Sequence, residues 1–482
     1  MTTPRLLQLS SAALCLLAPL TANAETLQQA LLKAYETNPT LTGARASQRA
    51  NDENVPIQKA AGRPNASIDG QYTETLKQVG FTNADRNVQA NGTLSVPIYS
   101  GGAVRNGIKA AKTRVEAGRA DLRATESSVF SQVVAAYMDV IRDSAIVSLN
   151  RANVHALDVN LQATNDRFEV GDLTRTDIAQ SESRLAVARS DLQTAEANLI
   201  ASRENYIALV GNPAAGLEKP PELPGLPPTP DAAVEVALRD NPDILASVKD
   251  REAAAYDVRV ARASRLPTVS TFAQGTYSDY LGSLKSIVPG VVDQSAHQAA
   301  VGASVTIPLY QGGRPAAQIR QSQALESQAI EQAIGIERGV ISQVRAAYAS
   351  WQASLQTIAS SSKAVDASAL SLEGVRAENT VGSRTILDIL NAEQEALSAR
   401  VQLVSAERNA YVAGFSLLAA MGHAQAADLD LEGGTLYNPV ANYDRVKNKL
   451  SDWDADPRPQ AVSTRTVDSP AQNANVDAAN AQ

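Results

Sequence analysis

The sequence predicts a mainly α-helical chain with a β-barrel part, built twice over, and three observations carry that prediction. The stretch Val96-Pro97-Ile98-Tyr99-Ser100-Gly101-Gly102 recurs as Ile307-Pro308-Leu309-Tyr310-Gln311-Gly312-Gly313, an offset of 211 residues. Upstream of each copy, apolar and polar residues alternate with the period of a strand. Downstream of each copy runs a long segment with helical spacing of apolar residues. The unit is therefore a strand that passes through a glycine hinge into a very long helix. Gly101, Gly102, Gly312 and Gly313 let the backbone turn without a Cβ clash, and Pro97 and Pro308 fit a strand end, where no ladder donor is needed.

Residues 1–24 read as a secretory leader. Arg5 opens a weakly basic start, an apolar run covers Leu14 to Leu20, and Ala22-Asn23-Ala24 is a small-x-small cleavage signal. The only cysteine, Cys15, lies inside that run behind Leu14, where a lipoprotein would carry a small residue. The mature chain, starting near Glu25, then has neither disulfides nor thiolate metal sites. Its net charge of −8, with no basic block, argues against nucleic acid as a partner. No mature segment approaches the roughly 18 uncharged apolar residues of a membrane-spanning helix. Any crossing of a bilayer must use β-structure.

The repetition sets the domain organisation. Asn38-Pro39 recurs as Asn241-Pro242 at an offset of 203, and from Val96 onward the offset is 211. The change falls between the two strands of a half, so the second hairpin has eight more loop residues. The first repeat is expected over 25–211, with a hairpin at about 65–99, and the second over 231–422, with a hairpin at about 268–310. Each holds a short helix, a second helix from the Asn-Pro pair, two strands, the hinge, a long helix, a glycine turn and another long helix. Residues 212–230, with Pro213, Pro220, Pro221, Pro224, Pro227, Pro228 and Pro230, read as extended linker. Residues 423–451 form a C-terminal equatorial segment, and 452–482, polar and poor in bulky apolar residues, read as a disordered tail.

In the strands, Val88, Ala90, Leu94, Val96 and Ile98 fall on one face and Gln89, Asn91, Thr93 and Ser95 on the other. About ten residues of such alternation suit a tilted barrel strand, although a half-buried soluble sheet alternates identically. The tall helices decide for the barrel, because they leave no core to cover the sheet. Four strands cannot close, and open edges are not tolerated in lipid, so the chain is expected to oligomerise. Three copies would give twelve strands around a lumen that suits the polar faces.

The helices carry coiled-coil seams. Val104, Ile108, Ala111, Val115, Gly118, Leu122, Thr125 and Val129 keep a 4-3 spacing, and Ile178, Leu185, Leu192, Leu199 and Tyr206 recur every seven residues. The descending helix, about 102–163, spans roughly 90 Å. Its length matches about 174–211 plus about 242–265, which suggests a return in those two stages, with about 385–422 stacked on about 39–62.

At this point the sequence resembles the TolC family of bacterial outer-membrane efflux proteins. The twin hinges carry the resemblance, with Val381-Gly382-Ser383-Arg384-Thr385-Ile386-Leu387-Asp388 and its partner Arg167-Phe168-Glu169-Val170-Gly171 followed by Thr176-Asp177. It implies a homotrimer with a twelve-stranded outer-membrane barrel and a twelve-helix periplasmic tunnel. A periplasmic adaptor and an inner-membrane RND pump or ABC transporter would be its partners, with outer-membrane lipid around the barrel. It also implies a gate at the helix tips (Gly171, Thr176, Asp177, Gly382, Arg384, Asp388), with Arg384 bonding near Thr176 and Asp177 and Asp388 lining the constriction. Asn379 and Asn391 depart from the family pattern, which has a tyrosine and an acid there.

Read from the residues alone, Thr174 with Asp177 and Thr385 with Asp388 have capping-box spacing, so capping accounts for both threonines. Gly171 and Gly382 permit tight turns and locate the tips. Arg384 has no counterpart in the first copy, where Leu173 stands, which points to a specific bond. His155, His297 and His423 lie far apart with no ligand spacing. No cofactor and no enzyme activity are expected. The expected function is passive export of small molecules or proteins through an outer-membrane channel of an efflux pump or type I secretion system. The alternative is a surface-displayed adhesive coiled-coil stalk on a β-anchor.

Overall fold

The computed structural model describes residues 24–77, 84–214, 216–284, 290, 292–429, 431 and 436–476. Apart from Ala24, the expected leader with Cys15 lies outside them. The first repeat contains α1 (Leu27–Thr37), α2 (Pro39–Asp52), α3 (Asn54–Ala60), β1 (Asn65–Glu74), β2 (Arg86–Ser100), α4 (Ala103–Glu169) and α5 (Arg175–Val210). The second contains α6 (Pro230–Asp240), α7 (Pro242–Ala263), β3 (Thr268–Asp279), β4 (Ser295–Thr306), α8 (Arg314–Thr380) and α9 (Ile386–Met421), and α10 (Pro439–Val446) follows. Both long helices have 67 residues, about 100 Å at 1.5 Å per residue. Both returning helices have 36.

The strands form one antiparallel sheet in the order β1-β2-β3-β4. The two hairpins keep one register: Asn65 faces Ser95, and their duplicates Thr268 and Thr306 face each other. All eight inserted residues therefore fall beyond the shared ladder, at the turn. The prolines behave differently in the two copies. β4 ends at Thr306, before Pro308, whereas β2 continues past Pro97, and a bulge between Pro97 and Tyr99 absorbs the break against β3. Among the described residues no second layer covers the sheet. Ile68 is 84% exposed and Val301 85%, an apolar exposure of the kind that marks an interaction surface.

The expected order of helix stacking is corrected. Asn38, the N-cap of α2, accepts from Thr40 N–H at 2.9 Å and donates through Nδ2 to the Leu209 carbonyl, at the end of α5, at 2.9 Å. Asn241, the N-cap of α7, accepts from Asp243 N–H at 2.9 Å and donates to the Ala420 carbonyl of α9 at 2.8 Å. So α2 continues α5 and α7 continues α9; each repeat closes on itself. Length matching could not separate the two arrangements, because α2–α3 and α7 cover equivalent stretches. The deciding contact is chemical. A buried asparagine joins two helix ends by serving as acceptor to one and donor to the other.

Packing follows from that arrangement. α4 is flanked on one side by α5, α2 and α3 and on the other by α7 and α9. It therefore buries residues along most of its length, Ala111, Val115, Leu122 and Val129 of the expected seam among them. α8 packs on α7, α9 and α6, and its buried residues reduce to Ile319, Ala333, Val340, Val344, Ser361 and Ser368. The largest core lies at mid-height, where α1 and the linker cover α4 and α5. There Tyr35, Phe130, Tyr137 and Tyr206 are buried, and the Tyr137 hydroxyl donates to the Glu25 carbonyl at 2.8 Å. No described helix is long and apolar enough to cross a membrane.

Residues 452–476, expected as a disordered tail, carry only one short 3-10 turn yet lie against the helices. Arg203 donates to the Asn475 carbonyl at 2.8 Å, and Arg151 to the Ala474 carbonyl at 2.9 Å. Main-chain acceptors hold this segment, and composition carries no record of them.

All four hinge glycines have positive φ, +62° and +88° at Gly101 and Gly102 and +63° and +80° at Gly312 and Gly313. A Cβ at Gly101 would sit 2.8 Å from the Ala263 carbonyl oxygen, whereas one at Gly312 would meet nothing within 4 Å. Alanine at either costs about 1–2 kcal/mol of left-handed strain. Gly101→Ala adds a backbone clash and is expected to lower the thermal unfolding midpoint clearly more than Gly312→Ala, read by circular dichroism in detergent.

Candidate functional site

The two helical turns at the far end from the sheet bring together most of the residues singled out in the sequence. The α4–α5 turn closes with Gly171 N–H donating to Phe168 O and Asp172 N–H to Arg167 O, both at 2.9 Å. The α8–α9 turn repeats this with Gly382 N–H to Asn379 O and Ser383 N–H to Glu378 O, both at 3.0 Å. Gly171 and Gly382, at φ +89° and +79°, supply the left-handed residue that such a helix end demands.

Beyond each glycine a capping box starts the next helix. Asp177 Oδ2 accepts from Thr174 N–H at 2.8 Å and from its hydroxyl at 2.7 Å. Asp388 does the same for Thr385 at 2.9 and 2.7 Å. Backbone and hydroxyl hydrogen bonds from Thr174 hold the Asp177 carboxyl below the usual carboxylate range. The Thr385 hydroxyl and N–H, helped by the charge of Arg384, do so for Asp388. Thr176 is exposed in the first turn of α5.

Arg384 is not brought to Thr176 or Asp177. Within the chain its Nε donates to Glu378 Oε2 at 2.7 Å, and Asn379 donates to the Arg384 carbonyl at 2.7 Å. The turn folds Arg384 back over the last turn of α8, so the nearby acid captures it at a lower ordering cost than a distant helix would require. The first copy carries the mirror arrangement, with Arg167 on the helix and Asp172 in the turn, 3.9 Å apart.

The bonds that tie one helix pair to the other lie a few turns above the tips. Glu393 of α9 is 5% exposed. Its Oε1 accepts from Asn160 Nδ2 of α4 at 2.9 Å and from Arg376 of α8 at 2.9 Å. Arg184 of α5 donates to Asn391 Oδ1 of α9 at 2.8 Å. Around them Leu157, Leu185, Ala188 and Leu390 form a small apolar cluster. Higher up, Arg408 of α9 reaches Asp139 of α4 at 2.9 Å. Sequence reasoning missed Glu393, although a signal was there: an acid three residues after Leu390 and three before Ala396, on a helix face that is otherwise apolar. Among the described residues no group of histidines, cysteines and acids could hold a metal ion.

Because the Asp177 and Asp388 carboxyls titrate lower in the fold than in an open chain, they stabilise the helix starts above the ordinary carboxylate range. That contribution is lost as pH falls through the depressed values. Amide protection in the first turns of α5 and α9, corrected for intrinsic exchange, is expected to fall from neutral to strongly acid pH. In Asp177→Asn it should be low throughout at the α5 start.

With this geometry in hand, the chain can be set beside known proteins. The family model described as outer membrane efflux protein matches residues 30–212 and 233–423, one match for each repeat. The outer membrane efflux protein BepC of Brucella suis biovar 1 (strain 1330) is 34% identical over 428 residues, covering 89% of this chain and 92% of its own. The outer membrane protein TolC of Escherichia coli (strain K12) is 27% identical over 485 residues, covering 94% and 95%. Among solved structures, the outer membrane protein VceC of Vibrio cholerae superposes with a TM-score of 0.70 at 22% identity, over 82% of this chain and 96% of that one. The duplicated helix-and-hairpin chain belongs to the outer membrane efflux protein family, that of TolC.

Proposed function

We propose that three copies of this chain form a continuous duct from the periplasm through the outer membrane, and that the duct passively exports small molecules delivered by an inner-membrane transporter through a periplasmic adaptor. The observation that carries the assembly is the unequal covering of duplicate elements. α4 has helices of both repeats on its two flanks, whereas α8 has only its own repeat's α9 and α7 with α6. By the duplication, the open flank of α8 fits the α5–α2 flank of another copy, and the free edge of β4 fits a free β1. Such a head-to-tail contact closes into a ring when the rotation allows it. Three copies bring twelve strands, enough to leave a lumen, and closure leaves no unpaired edge in lipid. Outer-membrane localisation and export agree with the family and with BepC; the adhesive alternative has no support among the relatives.

The duplication also gives the register of the contact between chains. Within the chain Thr93 faces Gln274, so Ser304 of one copy should face Gln71 of the next. The leader-free chain has no cysteine, and opposed strand residues lie within disulfide reach. Gln71→Cys with Ser304→Cys should therefore give a covalent trimer on oxidation. Covalent dimers alone, or no cross-link in a protein that otherwise inserts normally, would refute the ring.

Opening is a separation of the α4–α5 and α8–α9 pairs at the tips, and Glu393 is the group whose loss should matter most. Glu393→Ala removes the acceptor of Asn160 and Arg376 together; Arg376 is half exposed and regains water, so the cost is about 1.5–3 kcal/mol, that of lost hydrogen bonds to a charged group. It is expected to raise single-channel conductance in planar bilayers. Arg384→Ala, which breaks only an exposed local pair, should change conductance less; the reverse ranking would return the gate to Arg384.

A further inference from the structure

The segment after α10 climbs towards the sheet before it turns back. Asn442 of α10 donates to Asp52 of α2 at 2.8 Å. Lys59 of α3 donates to the Lys447 carbonyl at 2.7 Å, and Arg63 to the Lys449 carbonyl at 2.8 Å. Arg63 stands two residues before β1 begins. A Cβ at its neighbour Gly62 would meet Val104 in the first turn of α4. Residues 447–449 are thus fixed at the height where helices give way to strands. The chain then passes over the top and descends, with Ser463 beside Thr42 and Asn475 beside Arg203.

At the highest point of this strap, two large apolar side chains face outward. Leu450 is 76% exposed and Trp453 97%, and Ile57 beside them is 61% exposed. The acids around them are partly neutralised in place: Asp454 pairs with Lys449 at 2.8 Å and Asp456 with Arg445 at 2.7 Å. At the same height the end of β2 carries Tyr99 at 48% exposure, and the link from β4 to α8 carries Leu309 at 93% and Tyr310 at 88%. The apolar patch of the strap therefore continues the aromatic rim of the sheet.

We propose that Leu450 and Trp453 dip into the inner leaflet of the outer membrane at headgroup level, so that the strap rests each subunit on a phospholipid surface. The proposal rests on the barrel reading above, which sets the height of the membrane. Tryptophan favours this boundary because its ring is apolar while its N–H stays within reach of water and headgroups. The free carboxylate of Asp452 keeps the contact shallow, and Lys59, Arg63 and Lys449 sit where lipid phosphates would lie. Backbone carbonyls at Lys447 and Lys449 and the ion pairs of Lys449 and Arg445 hold the segment, which leaves Leu450 and Trp453 free for the lipid.

The chain has two tryptophans, so Trp351→Phe leaves Trp453 as the sole emitter. The full-length mature protein would be reconstituted into vesicles of phosphatidylethanolamine and phosphatidylglycerol. The expected result is a blue shift, protection from aqueous acrylamide, and stronger quenching by lipid brominated near the glycerol than by lipid brominated at the chain end. A Trp453 open to acrylamide and untouched by brominated lipid overturns the assignment and leaves the face to another protein. Ile68→Trp, placed on Trp351→Phe with Trp453→Phe, separates the two readings. If that strand probe is quenched by lipid and Trp453 is not, the barrel stands and the strap contact falls. If neither is quenched, the barrel reading falls and the strap contact with it.

Discussion

Two rows of main-chain donors and acceptors, one along β1 and one along β4, govern the rest of this molecule. A soluble protein can leave such edges to water, but strands with faces as bare as those at Ile68 and Val301 are built for lipid, where an unpaired peptide group costs several kcal/mol. The chain cannot satisfy both edges alone, because four strands do not bend into a cylinder. Everything beneath the sheet follows the same demand. Each strand pair hands over through two left-handed glycines to helices whose flanks have the same missing neighbour as the strands. Sheet and helix layer are thus incomplete in register with one another, and the proposed contact between chains would complete both.

The equality of the two repeats extends to element ends. The 67-residue and 36-residue helices and the hairpin register are shared, although many side chains differ. What differs is burial: α4 is a central helix and α8 an edge helix in the single chain. The proposed contact between copies would remove that inequality. The Asn-Pro junctions add the second requirement. Asn38 and Asn241, 4% and 3% exposed, convert two helices into one long strut without a covalent link.

Much of this was legible in the sequence, for identifiable reasons. Repetition fixed the element order, the heptad positions Leu185, Ala188, Leu199 and Tyr206 proved buried, and both capping boxes formed at the expected threonines. The errors have a common cause. Stacking of α2 on α5, the local partner of Arg384, and the bridging role of Glu393 all depend on which elements become neighbours in space. Helix lengths and periodicity do not encode that when two candidates have the same length. Arg384 was read as reaching across on the family resemblance, and its asymmetry between the copies pointed to a specific bond. The asymmetry was real, but Glu378, standing where the first copy has Arg167, accounts for it.

That exchange of charge makes the two helix tips chemically unlike. The first turn carries its cation on the helix and its anion in the loop, and the second turn carries them the other way round. The proposed ring would alternate these two arrangements around its crown of hairpins, with each cation paired inside its own turn. In the proposed ring of three, the six hairpins would then fall into two sets of three, told apart by which side of the turn carries the cation.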